Sequence, residues 1–193
     1  MNIVGVLLAA GAGSRMGRPK ALLRDSAGRA FLDLAIAALL DGGCTAVVVV
    51  LGASAEEAAA LVPSRPEVSH VVAQDWQDGL SASVRAGLSA AASGDADAVV
   101  IHLVDLPDVT PQVVDRLLDV ADPDALARVA YRGVPGHPVL IGRGHISAVM
   151  SEVSADAGAG AYLRRHGADL IECGDLAVGR DVDRPEDLAD LLG

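Results

Sequence analysis

Residues 2–20 read NIVGVLLAAGAGSRMGRPK. The piece 2–9 is a nearly continuous apolar run that stops against glycines and basic residues, the pattern of a strand buried on both faces that ends in a loop. Such a strand needs helices above and below it. Similar apolar runs follow at 45–51, 68–73 and 98–104, and helix-period stretches separate them at 31–40, 54–61 and 81–92. Thr110 and Pro111 read as an N-cap and first helical residue of a helix reaching about 121. The alternation predicts an α/β fold with three α/β/α layers around a doubly wound, mostly parallel sheet. The second half is less regular, with strands expected at 126–131, 137–141 and 169–173, two short helices between the last two, and a final helix over about 185–192.

A chain of 193 residues that is 51% hydrophobic can fill one core, so a single domain over 1–193 is expected. Its aromatics are only Phe31, Trp76, Tyr131 and Tyr162, which leaves Val, Leu, Ile and Ala to build that core. The net charge of −11 argues against a general affinity for nucleic acid or an anionic membrane. Within residues 1–29, however, Arg15, Arg18, Lys20, Arg24 and Arg29 face one acid, Asp25, a local +4 that leaves −15 for the rest. A basic island in an acidic chain suggests a local anion site. Cys44 and Cys173 lack metal-ligand or disulfide spacing and read as buried thiols. No apolar run approaches the ~20 residues of a membrane span, and the start has no basic leader pattern, so a soluble cytoplasmic protein is expected.

In open parallel sheets ligands sit at the carboxyl ends of the strands. The loops expected there are 10–21, 74–83 and 105–110. The first is not a dinucleotide fingerprint: the third glycine of GxGxxG would fall at Met16 but stands at Gly17, Pro19 follows, and no acid closes the second strand. Nor does GxxxxGK[ST] occur. What remains is a glycine loop whose backbone N–H groups can approach phosphate oxygens, with Arg15 and Lys20 to neutralise them. Lys20 is the single lysine beside 14 arginines, which suggests that a compact ammonium is required at that position.

LAAGAGSRMGRPKALL resembles the signature loop of the sugar-nucleotide and molybdenum-cofactor nucleotidyltransferases, written LAAGxGxRMGxxK in the molybdopterin cytidylyltransferase branch (MobA/MocA-like). The likeness continues in order through WQDGLSASVRAGL (76–88), VDLPDVTP (104–111), GHPVLI (136–141) and DVDRPEDL (181–188). It implies a Rossmann-like nucleotidyltransferase fold and an enzyme that moves CMP from CTP onto a phosphorylated molybdenum-pterin cofactor, releasing pyrophosphate with Mg²⁺. LAAG at Leu8, Ala9, Ala10 and Gly11 resembles the cytidylyltransferases, whereas LAGG marks the guanylyltransferase relatives. Alternatives are another nucleotide, another small phosphate acceptor, or a non-catalytic carrier of the finished cofactor for a molybdenum hydroxylase.

A carboxylate at a buried strand end, as at Asp105, is costly unless a cation or donors compensate it. The resemblance makes Asp105 a Mg²⁺ ligand and Asp183 its partner, with Asp181 and Asp108 as substitutes; read alone, Asp183 belongs to an ordinary acidic helix start. Catalysis falls to Arg15, Lys20 and Asp105, and nucleotide binding to residues 8–11 with Gly13, Arg15, Lys20, Gly79, Ser81 and Ser83. Ser81 reads equally well as a helix cap. The segment 133–138 resembles an acceptor loop, with Gly136 and His137 beside the phosphorylated partner. His102 reads as a strand histidine, and Trp76 as packing or a cover for the site. The implied reaction is in-line attack by the acceptor's phosphate oxygen on the α-phosphorus, driven by positioning and charge neutralisation.

Overall fold

The computed structural model describes residues 1–153, 158–184 and 186–187. Strand β1 (Ile3–Ala9) is buried along its whole length and pairs in parallel with β2 (Ala46–Leu51) and β4 (Ala98–Leu103), so that Val6 lies between Val48 and Ile101. Strand β2 carries β3 (Val68–Val72) in parallel on its other side. Strand β6 (Val134–Gly142) runs antiparallel between β4 and β5 (Leu126–Tyr131), and β7 (Asp169–Glu172) adds to β5 in parallel. The sheet order is β3-β2-β1-β4-β6-β5-β7, a mixed but mostly parallel sheet in which β6 alone is reversed.

One face is covered by α1 (Phe31–Asp41), α2 (Ala55–Ala59) and α4 (Pro111–Leu118), packed through Phe31, Leu32, Ala58, Val113 and Leu117. The other is covered by α3 (Leu80–Ala92), α5 (Arg143–Glu152) and α6 (Gly160–Arg165), packed through Val84, Leu88, Ile146, Val149 and Leu163. With few aromatics, density comes from close approach: a Cβ on Gly87 of α3 would lie 2.3 Å from Cγ1 of Val6. Both cysteines are free and buried, and burial pushes the Cys44 thiol up to about 12. Among the described residues no helix is long and apolar enough to cross a membrane.

Two expectations need correction. The helices at 54–61 and 110–121 are shorter than their patterns suggest, ending at Ala59 and Leu118. More consequentially, residues 134–138 are strand, not loop. Arg132 and Gly133 take φ of 54° and 78°, the left-handed pair of a tight hairpin turn, which sets Tyr131 opposite Val134. Pro135, Gly136 and Pro138 argue against a central strand by composition. They are tolerated because the pairing of β6 to β4 begins only at Val139, so the proline-bearing stretch has β5 as its sole neighbour. The final helix expected over 185–192 falls almost wholly outside the described residues.

His102, opposite Leu7 in the sheet, is completely buried, and among the described residues neither ring nitrogen has a hydrogen-bond partner. Burial, reinforced by His137, lowers its pKa from 6.5 to about 3, so it is neutral in the fold. The unfolded chain binds a proton there below its ordinary pKa while the folded chain does not, so stability falls as pH drops from 6.5 towards 3. At pH 4 the group should cost about 3 kcal/mol relative to pH 8. His102→Leu is therefore expected to flatten the acid limb of the stability profile by about that amount; urea melts across pH check it, and parallel profiles would contradict it.

Candidate active site

Strand β1 has β2 on one side and β4 on the other, so chain connections diverge at this point and leave a crevice at the carboxyl ends of the strands. The loop after β1 turns at Gly13 with φ of 59°, and a Cβ there would fall 1.9 Å from the carbonyl oxygen of Arg18. Glycine is required at this position on both counts. Arg18 donates to the Leu22 carbonyl at 3.0 Å and so braces the loop itself. Pro19 leads into a short 3₁₀ turn, Lys20–Leu22, whose buried Ala21 and Leu22 anchor it and leave Lys20 directed at the crevice.

Lys20 Nζ donates to Oδ2 of Asp105 at 2.5 Å and also to Oδ1 of Asp183. Arg15 Nη1 donates to the other Asp183 oxygen at 2.9 Å. Asp183 reaches the site on a strap that returns from β7 across the strand ends. The strap is pinned by backbone geometry: Val182 N donates to the Asp105 carbonyl at 2.9 Å, and Val178 N and Gly179 N donate to Asp108 Oδ2 at 2.8 Å each. Of the candidate second acids, it is Asp183 that meets Asp105 across the ammonium; Asp108 holds the strap and Asp181 is exposed.

Burial raises the Asp105 pKa against the opposing pull of Lys20, whereas Asp183, more open, is held below the usual carboxylate range by the Lys20 hydrogen bond. Burial works against the Lys20 charge, yet Asp105 and Asp183 together hold its pKa above 10.5. Asp105 Oδ1 is buried and, among the described residues, has no partner. An orphaned carboxylate oxygen beside a second carboxylate suits a hard divalent cation, which takes one or two acids and completes its shell with phosphate and water oxygens. The residues fit such a metal.

A cavity of about 630 Å³ opens on this cluster. Its walls include Leu8, Ala9, Ala10, Gly11, Gly13, Arg15 and Lys20 from the first loop, Gly79 and Ser83 from the start of α3, and both Asp105 and Asp183. Ser81, by contrast, is buried away from it and accepts a hydrogen bond from Arg85 Nη2 at 3.3 Å. Gly136 and His137 also lie outside this lining. His137 faces an adjoining cavity of about 190 Å³ instead, and Gly136 turns its carbonyl to Arg128. Trp76 and its neighbour Gln77 line the large cavity. Gln77 is marked in the sequence only by its place in the WQDGLSASVRAGL motif of the second ligand-edge loop.

Comparison with known proteins adds the following. Residues 5–170 match the MobA-like NTP transferase domain. The chain is 41% identical over 203 aligned positions to nicotine blue oxidoreductase of Paenarthrobacter nicotinovorans, spanning 98% of this chain and 96% of that one. It is 34% identical over 124 positions to a probable molybdenum cofactor guanylyltransferase of Mycobacterium avium, covering 63% of this chain and 58% of that protein. Among solved structures, Rv0371c of Mycobacterium tuberculosis superposes with a TM-score of 0.83 at 27% identity, over 100% of this chain and 98% of that one. Its complex with manganese superposes at 0.77 with 26% identity and the same coverage.

Proposed function

Since the chain belongs to the MobA-like NTP transferase domain family, a family of nucleotidyltransferases, we propose that it transfers CMP from CTP to a phosphorylated molybdenum-pterin cofactor and releases pyrophosphate. The observation that carries this reading is the meeting of Arg15, Lys20, Asp105 and Asp183 on the wall of one glycine-loop cavity. This cluster supplies both cationic groups for phosphate oxygens and two acids for a divalent cation at the ligand edge.

In this reading the glycine loop presents backbone N–H groups to the phosphates, and Lys20 and Arg15 move from the carboxylates onto phosphate oxygens. Asp105 and Asp183 would hold Mg²⁺, which would supply positive charge to the phosphates when bound. The base and ribose lie towards Ala10, Gly79 and Ser83. An ionised acceptor phosphate is already a nucleophile, so positioning carries the reaction without a general base. The protein is read as one soluble cytoplasmic domain whose product goes to a molybdenum hydroxylase.

The base preference is testable. With LAAG at residues 8–11, CTP should bind at least about tenfold more tightly than GTP, a difference of about 1.4 kcal/mol, and Ala10→Gly should narrow that gap. Calorimetric titration with both nucleotides, with and without Mg²⁺, reads it; equal affinities in the unmodified chain would remove the CTP assignment.

The likeness to an oxidoreductase over nearly the whole chain favours a second reading. There the same cavity would serve an oxidoreduction of a dye such as nicotine blue. The charge cluster has no evident task in hydride transfer, which places this reading second. Pyrophosphate release from CTP, set beside loss of the dye's own absorbance in the presence of a reductant, separates the two.

A further inference from the structure

The cavity of about 190 Å³ beside the large one has an apolar floor of Val84, Ile101, Val139 and Leu163, and a rim with Arg128, Arg164 and His137. Leu8 and Leu80 belong to the walls of both cavities, so the two adjoin. The volume is below the ~300 Å³ at which whole small-molecule sites begin, which suits one end of a substrate.

Its charge is unbalanced. Among the described residues no carboxylate lines it, while two guanidinium groups do. Arg128 is half-buried, with Nε and Nη2 donating to the Gly136 carbonyl at 3.3 and 3.0 Å. That bond fixes the plane of the guanidinium and leaves Nη1 and the second Nη2 hydrogen without a bond described here. Arg128 has its pKa lowered by burial and then by the like charge of Arg164, which lines the same cavity. A guanidinium stays protonated under such pressure and an anion between the two relieves it. His137 is held neutral, its pKa lowered by burial to about 4, so it supplies a hydrogen bond without further charge.

We propose that this cavity receives the acidic group, phosphate or carboxylate, at one end of the second substrate, with Arg128 and Arg164 as the cationic pair that selects it. The proposal rests on reading the large cavity as the nucleotide site. It narrows the acceptor to an acid whose neighbouring atoms are apolar or aromatic, because the floor offers no polar group to a sugar-like body.

The test is calorimetric titration of the full chain with phenyl phosphate, benzoate and, as the uncharged control, benzyl alcohol, beside a separate CTP titration. Binding of at least one acid but not the alcohol is expected, weakened about tenfold or more in both Arg128→Gln and Arg164→Gln while CTP binding holds. Arg164 is exposed, so Arg164→Gln stays informative should Arg128→Gln fail to fold. Preference for phenyl phosphate or for benzoate identifies which acid the pocket takes. Failure of both acids to bind, or undiminished binding in Arg164→Gln, would overturn the proposal. Loss of CTP binding in the parent with intact acid binding would instead remove the nucleotide reading and leave the pocket standing.

Discussion

Lys20→Arg should be as poor an enzyme as Lys20→Ala, each losing on the order of a hundredfold in turnover, about 3 kcal/mol of transition-state stabilisation. The two variants fail by different routes. Alanine removes the donor that follows the phosphates. Arginine keeps the charge but presents a planar fork matched to carboxylates, and here it would face two of them, Asp105 and Asp183. An ammonium exchanges partners readily around a narrow stem; a guanidinium locked on both acids would withhold them from a metal. Steady-state kinetics against NTP and Mg²⁺ reveal the difference, with the metal requirement raised in Lys20→Arg and not in Lys20→Ala. An arginine variant as active as the parent would reduce Lys20 to a generic counter-charge, despite its being the chain's single lysine.

The second large effect concerns Asp105→Asn, for which a loss of about a thousandfold or more in turnover is expected with the fold retained. The amide is nearly isosteric, and the bond from Val182 N reaches the backbone carbonyl rather than the side chain, so the strap should stay in place. Stability should change by no more than about 1–2 kcal/mol. Loss of the Lys20 pair is offset in part because a buried carboxylate with an unpartnered oxygen no longer needs to be held. Thermal melting beside activity in a Mg²⁺ titration gives the answer. Turnover with an unchanged metal dependence would mean that another acid holds the cation.

Much of this architecture is legible in the residues. The runs that become β1, β2 and β4 are apolar on both faces because helices cover both sides of the sheet, so continuous hydrophobicity announces them, whereas β3 at the edge carries exposed Ser69 and His70. The glycine loop could be placed at the ligand edge for the same reason, and Lys20 and Asp105 lie close to their strand ends. Strand β6 is illegible in its first half because prolines normally exclude a strand, and no local pattern reveals that its pairing with β4 reaches only Val139. The position of Asp183 is a tertiary fact: its neighbours in sequence resemble a helix start, and only the clasp of Asp108 and the Asp105 carbonyl on the strap brings it to Lys20. The pairing of Arg128 with Arg164 is equally invisible, since one sits on a strand and the other on a short helix.

The strap also sets a clock. Arg15 and Asp183 stand 168 positions apart and Lys20 and Asp183 163, so the charge cluster closes the longest side-chain circuit among the described residues. During synthesis the glycine loop and Asp105 emerge first and can settle into the sheet as it forms, whereas the second carboxylate follows 78 positions after Asp105. A nascent chain with its sheet largely built could therefore grip phosphates without yet being able to act on them. In the proposed reaction the second carboxylate reaches Lys20 only on a strap held by Asp108, so turnover should report that this strap has docked.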